Sequence, residues 1–432
     1  MTEAGVATLA RPPRRSSWVD RLLRERVLQL VRGLQDGALL IREGGQTIAV
    51  AAPPPESASA PVPRSGATLR ACVRVHDPVF YRRVAQNGSV GAAEGYMDGL
   101  WDCDDLVALV RILLRNRERL DAMERGTARL GAAVMRAWAA LRRNTHAGSR
   151  RNIAAHYDLG NDFFGLFLDD NLMYSSALFA DEQESLEVAS RRKLERICEK
   201  LQLSARTRVI EIGGGWGGFA LYAARHHGCH VTTTTISRQQ YQLARARVAA
   251  AGLSDRVEVL LADYRSLSGR YDRLVSIEMI EAIGHQYLDT YFRKVGELLA
   301  HDGMALIQAI TIEDYRYMQA LRSVDFIKRH IFPGSFIPSI SAMLDAAARV
   351  SDLKLFNLED IGPSYALTLR AWRERFLRRR DQARSLGYPE RLLRMWDYYL
   401  AYCEGGFIER ATGDVQMLLS KPGARRGQFV PL

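Results

Sequence analysis

The sequence predicts an α/β protein: a doubly wound, mostly parallel sheet with a helical insertion, preceded by a smaller α+β unit. Three observations carry that prediction. From residue 208 onward, apolar β-branched runs alternate with helical stretches at a rhythm that makes a parallel sheet with helices on both faces. The first run, Arg208-Val-Ile-Glu-Ile-Gly-Gly-Gly-Trp-Gly-Gly-Phe-Ala220, reads as a buried strand, a glycine turn and the opening of a helix. Before it, hairpin-like strands and helices follow one another without that rhythm. The boundary is placed where Asn144-Thr-His-Ala-Gly-Ser149 breaks a basic helical stretch. It gives an accessory unit over 1–145 and a catalytic unit over 146–432.

In the first unit, residues 11–15 are a basic, helix-hostile cluster. Residues 17–34 place Trp18, Leu22, Val27, Leu30, Val31 and Leu34 at helical spacing with arginines between them. Such a helix can lie in a lipid interface or dock on its own domain. Strands follow at 39–42, 47–50 and 68–75, with a proline-rich loop over 53–63 after the second. Residues 77–114 read as helical, with turns at Asn87-Gly-Ser and Asp98-Gly, and 117–143 as a basic helix. Nothing in this unit forms a catalytic constellation.

In the second unit, strands are expected at 208–212, 231–235, 257–261, 272–278 and 304–310, and helices at 238–250 and 287–299. The interruption over 315–350 has the length and place of a substrate lid.

The spacing of Gly213, Gly215 and Gly218 fits a dinucleotide fingerprint as well as an S-adenosylmethionine (SAM) turn. A dinucleotide site needs an acid at the end of the second strand, to hold the ribose. That region is His230-Val-Thr-Thr-Thr-Thr-Ile236, without one. Acids stand at Glu211, where a carboxylate can face the cationic amino-acid end of SAM, and at Asp263, where one can accept from an adenine amino group. The turn is therefore read as a SAM site in a Rossmann-like methyltransferase sheet.

The formal charge of +11 suits an anionic partner without choosing among nucleic acid, lipid headgroups and an acidic carrier. Five cysteines, none in a CxxC pair, indicate neither a disulfide frame nor a metal knuckle. No run of eighteen apolar residues occurs, so a cytoplasmic location with at most peripheral membrane contact is expected. His226, His227 and His230 lack a carboxylate or thiolate at ligand spacing, and no metal is expected.

Six stretches, in this order, resemble the cyclopropane fatty acid synthase family: His156-Tyr-Asp-Leu-Gly-Asn-Asp-Phe-Phe164, Tyr174-Ser-Ser-Ala-Leu-Phe179, Glu211-Ile-Gly-Gly-Gly-Trp-Gly-Gly218, Val275-Ser-Ile-Glu-Met-Ile-Glu-Ala-Ile-Gly284, Phe326-Ile-Lys-Arg-His-Ile-Phe-Pro-Gly334 and Tyr365-Ala-Leu-Thr-Leu-Arg-Ala-Trp372. The N-terminal unit, with Gly91-Ala-Ala-Glu-Gly-Tyr-Met-Asp-Gly-Leu-Trp101, looks like the accessory domain of the family's phospholipid-acting bacterial members.

The resemblance implies that the cis double bond of an unsaturated phospholipid acyl chain attacks the sulfonium methyl of SAM. Loss of a proton from the added methyl then closes a cyclopropane ring. Such a weak nucleophile must be aligned within about 3.5 Å of the methyl in a dry site, and aromatic faces suit the cation that forms. Tyr157, Phe163, Phe164, Tyr174, Phe179, Trp216, Phe219, Phe332 and Phe336 are the aromatics at hand, though each singly reads first as core.

For the methyl donor the resemblance implies Tyr174, Ser175, Ile212, Gly213, Gly214, Gly215, Trp216, Gly217, Thr235, Ile236, Ser237, Gln240, Asp263 and Tyr264, joined by Glu211. Ser237 has a second reading as a helix cap. For the proton it implies a bicarbonate ion held by the Ser176 amide, Glu281, Gln308, the Ile310 amide and Tyr365. Ser176 and Gln308 stand where many members have cysteine and histidine, and Gly214 where many have cysteine, an exchange of small residues expected to be mild.

The residues leave rivals open. The cation can lose a different proton and end as a methylene- or methyl-branched chain, or the chain can be an idle lipid-binding paralogue. A nucleic-acid methyltransferase lacks its Asn/Asp-Pro-Pro-Tyr type signature, and no nucleic-acid partner is expected. A homodimer is expected by analogy only. The basic run over 373–380 reads as a solvated helix face or a contact for lipid phosphates.

Overall fold

The computed structural model describes residues 18–51, 69–124, 159–425 and 427. The chain divides into two compact units, residues 1–128 and 129–432. The boundary expected at 145, the 11–15 cluster, the 53–63 loop, the helix beyond 124, and His156 and Tyr157 lie outside the described residues.

The first unit holds a four-stranded sheet of β1 (Ala38–Glu43), β2 (Gln46–Ala51), β3 (Arg70–Val75) and β4 (Trp101–Cys103), in the order β2-β1-β3-β4. β4 falls inside the span read as helical. The helix Val79–Met97 breaks at Gly88, close to the expected turn. Gly91, three residues on, is there because a Cβ would overlap the Arg83 carbonyl. The Gly91–Trp101 motif is packing: Trp101 is buried, donates from Nε1 to Ala92 O at 2.8 Å and lies against Gly95. The helix Trp18–Arg32 docks on its own unit through Val27 and Leu28 and leaves Trp18 and Leu22 exposed.

The second unit is built on a seven-stranded sheet: β5 (Arg208–Ile212), β6 (His230–Thr235), β7 (Val257–Leu261), β8 (Tyr271–Ile277), β9 (Leu299–Thr311), β10 (Lys354–Asp360) and β11 (Gly413–Ser420). The order is β10-β11-β9-β8-β5-β6-β7. The five expected strands are parallel, and β11 and β10 extend the sheet antiparallel to their neighbours.

Period-two alternation divides each strand between two cores. Val209, Val275 and Leu306 face Leu194, Ile197 and Phe219. Ile210, Leu274 and Ile307 face Tyr291, Phe292 and Met343. Each fully buried side chain of this size contributes about 1.5–3 kcal/mol of transfer free energy. The interruption after β9 is helical at Asp314–Arg322 and Ile340–Val350, with a π-helical turn at Ile327–Ile331.

Candidate active site

The chain leaves β5 in both directions, through β6 to β7 on one side and β8 to β9 on the other. The switch point lies between β5 and β8, and in such sheets ligands bind outside the strand ends there. Two turns meet at this place. After β5, Gly213, Gly215 and Gly217 take φ of 84°, 55° and 80°, and the helix Gly218–His227 begins. After β8, Met279 lies so close that a Cβ on Gly213 would come within 2.6 Å of its Cγ. A Cβ on Gly215 would meet nothing within 4 Å, so the backbone there is open to a ligand.

The residues expected around SAM gather near this turn, most of their polar groups bonded to other residues of the chain. Glu211 is buried, and its Oε2 accepts from Thr233 Oγ1 at 2.5 Å. Burial pushes its acid up to about 7, opposed by the Thr233 bond and the Lys193 charge. Gly214 sits on that pair: a Cβ would overlap Thr233 Oγ1 and approach Glu211 Oε2 at 2.7 Å. The Gly-to-Cys exchange at 214 is therefore not mild here.

Thr235 Oγ1 donates to Gln240 Oε1 at 2.7 Å, while Ser237 accepts from Gln240 N as the cap of the helix Arg238–Ala250. Ile236 between them is half-buried. Asp263 does not present a bare carboxylate to an adenine, because Arg265 donates to Oδ1 at 2.8 Å and Oδ2 at 2.6 Å. Tyr264, next to it, is buried. Trp216 is buried and donates to Asn161 Oδ1 at 2.7 Å. Tyr174 OH lies 3.0 Å from Tyr399 OH, and Ser175 Oγ accepts from the buried Lys193 Nζ at 2.7 Å.

The second expected set converges on a residue that the sequence reading passed over. Ser176 N and Gln308 Nε2 each donate to Glu278 Oε1 at 2.8 Å, and Tyr365 OH donates to Glu278 Oε2 at 2.6 Å. Gln308 Nε2 gives its other hydrogen to Asp414 Oδ2 at 3.1 Å. Glu281 and Ile310 instead hold each other, Ile310 N donating to Glu281 Oε1 at 2.6 Å. Glu281 Oε2 and Asp414 Oδ1 are sealed from solvent with no hydrogen-bond partner among the described residues.

Burial raises the acids of Glu278, Glu281 and Asp414, Glu281 to about 8, with the Glu278 charge adding to the shift at the other two. Three donors favour the ionised form at Glu278, whereas Asp414 has one shared donor. Burial holds both groups toward the protonated form, and more hydrogen-bond donors oppose that shift at Glu278 than at Asp414. Lys193 is fully buried among Glu278, Asp169, Asp414 and Glu211; burial lowers its pKa, opposed by the pull of those four acids. The signal for Glu278 was present: two acids three apart, in Glu278-Met-Ile-Glu281, close a strand at the switch point.

The other sequence signals resolve toward structure. Phe163, Phe164, Trp216, Phe219 and Phe336 are core residues, while Tyr174, Phe179 and Phe332 keep part of their surface. Tyr174 packs against Phe332 and Trp372 at 6.4 and 5.4 Å. The basic run is partly a solvated face, with Arg378 and Arg379 exposed, and most of its arginines are engaged within the protein. Arg373 pairs with Asp397, Arg375 with Glu187 and Arg380 with Glu390, and Arg379 donates to the Gly165 and Leu166 carbonyls. His226 lies 4.4 Å from Tyr222 and His227 is 3.2 Å from Glu195.

Comparison with known proteins agrees with this architecture. The family model described as mycolic acid cyclopropane synthetase matches residues 144–417. A tuberculostearic acid methyltransferase of Mycobacterium tuberculosis is 39% identical over 358 residues, which cover 81% of this chain and 83% of the relative. The cyclopropane-fatty-acyl-phospholipid synthase of Escherichia coli K12 is 37% identical over 347 residues, covering 80% and 86%. A mycolic acid cyclopropane synthase solved in complex with SAH and CTAB superposes with a TM-score of 0.59 at 29% identity, covering 63% of this chain and 98% of that one. The family match, the two relatives and the shared sheet lead to one conclusion: the chain belongs to the mycolic acid cyclopropane synthetase family.

Proposed function

We propose that the chain transfers a methyl group from SAM to the cis double bond of an unsaturated phospholipid acyl chain and closes a cyclopropane ring. It is a SAM-dependent methyltransferase of the cyclopropane synthase type. The observation that carries the reading is the meeting, at one switch point, of an open glycine turn with half-buried aromatic faces and a carboxylate cluster.

Bound SAM supplies an electrophilic methyl. The residues do the rest by placement. The turn from Gly213 to Gly217 lets backbone come close to the donor, with Tyr174, Thr235 and Asp263 around it. Tyr174 and Phe332 offer ring faces to a cation on the acyl chain without a lone pair that would bond to it. The helix Asp314–Arg322 packs inward through Tyr317 and Leu321 and exposes Tyr315 (76%) and Met318 (55%). That outward apolar pair supports contact with a membrane surface; no described helix is long and apolar enough to cross one. A second ending, a methyl- or methylene-branched chain, is kept because the 39% identical relative is named a methyltransferase rather than a ring-forming synthase.

The test is purified protein with SAM and oleoyl phospholipid vesicles, followed by fatty-acid analysis with fragmentation. Ring-bearing acyl chains and equimolar SAH are expected. SAM uptake with unaltered lipid would refute the activity.

A further inference from the structure

We propose that Glu278 is the enzyme's own proton acceptor, a built-in carboxylate standing where the resemblance places an added bicarbonate ion. The inference rests on the reading of the chain as an alkene methyltransferase and adds a residue to it.

A bicarbonate ion does not fit the donors assigned to it. The N–H of Ser176, both amide hydrogens of Gln308 and the hydroxyl hydrogen of Tyr365 go to Glu278 and Asp414, and the Ile310 N–H goes to Glu281. None of these hydrogens is left for a second anion, which would also stand against the Glu278 carboxyl group. The donors are filled by a carboxyl group that is covalently part of the chain.

Its backbone is a second, independent observation. Glu278 takes φ of 50°, the left-handed region, which is unfavourable for a non-glycine residue and persists where the surroundings hold it. Three side-chain bonds, from Ser176 N, Gln308 Nε2 and Tyr365 OH, and its own N–H bond to Gln308 O at 2.8 Å hold it there, directly after β8 at the switch point. Oε1 takes two donors and Oε2 one, from Tyr365, with Asp414 also within hydrogen-bond reach of the carboxyl group. Glu278 is half-buried as a residue, with its carboxyl group inside the donor cluster.

The step balances without an outside reactant. The alkene pair forms a C–C bond to the methyl as the C–S bond breaks toward sulfur, leaving a carbocation on the acyl chain. Glu278 Oε2 then takes a proton from the added methyl. The C–H pair forms the second ring bond, the cation is discharged, and Glu278 becomes a neutral acid that returns its proton to solvent before the next turnover.

The full chain is assayed on oleoyl vesicles in carbon-dioxide-free buffer with and without added bicarbonate, alongside Glu278→Gln and Glu278→Gly. Expected results are a wild type indifferent to bicarbonate and a Glu278→Gln rate lowered roughly 100-fold or more, with calorimetric SAM binding retained. Glu278→Gly suits the left-handed backbone and frees the donors, so bicarbonate should restore part of its activity. A wild type that turns over only with bicarbonate, or a fully active Glu278→Gln, overturns the role of Glu278 alone. No methyl transfer by the wild type under any condition overturns the function and this inference together.

Discussion

Gln416 Nε2 donates to Gln308 Oε1 at 3.2 Å from the position directly opposite on the antiparallel neighbour strand. The bond decides which way the Gln308 amide points. Gln416 is itself fixed by the buried Lys200, whose Nζ donates to Gln416 Oε1 at 2.8 Å and also pairs with Glu359. An amide with its oxygen held this way must turn its NH2 toward Glu278 and Asp414.

Gln416→Leu removes that constraint and leaves Gln308 free to flip. The expected effect is a kcat lower by about tenfold, roughly 1.4 kcal/mol, with KM for SAM unchanged. Steady-state kinetics on the folded fraction checks this. A variant that loses thermal stability but keeps wild-type kcat would reduce the pair to a structural role.

The overlap at Gly214 gives a steric prediction. Gly214→Cys should cost about 1–3 kcal/mol of stability, read as a fall of several degrees in Tm, and should weaken SAM binding through the displaced turn. Adding Thr233→Ala removes the obstructing hydroxyl and should recover most of the loss. Differential scanning calorimetry of the single and double variants decides it, and additive losses would contradict the account.

The raised acids give the pH dependence a sign. Glu211 near 7 and Glu281 near 8 keep a proton in the folded chain that an unfolded glutamate, near 4.5, has released. The folded state binds more protons across this window, so stability present below about pH 4.5 is lost as pH rises through 7 and 8. Glu281→Gln cannot titrate and should show a shallower decline. Urea midpoints at about pH 5 and about pH 9 measure it, and equal slopes in both proteins would rule out Glu281 as a source.

Exposure of Tyr315 and Met318 yields a prediction about membranes. Replacing both with Ser should weaken flotation with anionic vesicles and slow turnover on them, while activity on a detergent-dispersed lipid stays near wild type. Equal losses on both substrates would assign the helix Asp314–Arg322 to folding rather than to the surface.

Much of the central sheet could be read directly. Val209, Ile210 and Ile212 are apolar and β-branched because both faces of their strand are covered. β11 was opaque for the opposite reason: Asp414 and Gln416 sit in a buried strand, where their partners Gln308 and Lys200 come from distant parts of the chain and local pattern cannot show them. β4 was hidden in a helical-looking span because it is three residues long. Among the site residues, Ser176, Gln308 and Tyr365 were legible through a resemblance. Glu278 was not, because its importance lies in the four donor hydrogens from Ser176, Gln308 and Tyr365 that meet at it and at Asp414, from residues far apart in sequence. The same holds for Lys193, which by type belongs on the surface and is buried here beside Glu278, Asp169, Asp414 and Glu211, donating to Ser175.

The most direct measurement supplies the purified chain with SAM deuterated at its methyl group, together with oleoyl phospholipid vesicles, and follows the acyl chains by mass spectrometry with fragmentation. The account predicts a CD2 unit bridging the former double-bond carbons, the third deuterium having left through the proton acceptor, and SAH in equal amount. Acyl chains that retain all three deuterium atoms, or that carry no label while SAM is consumed, would contradict it.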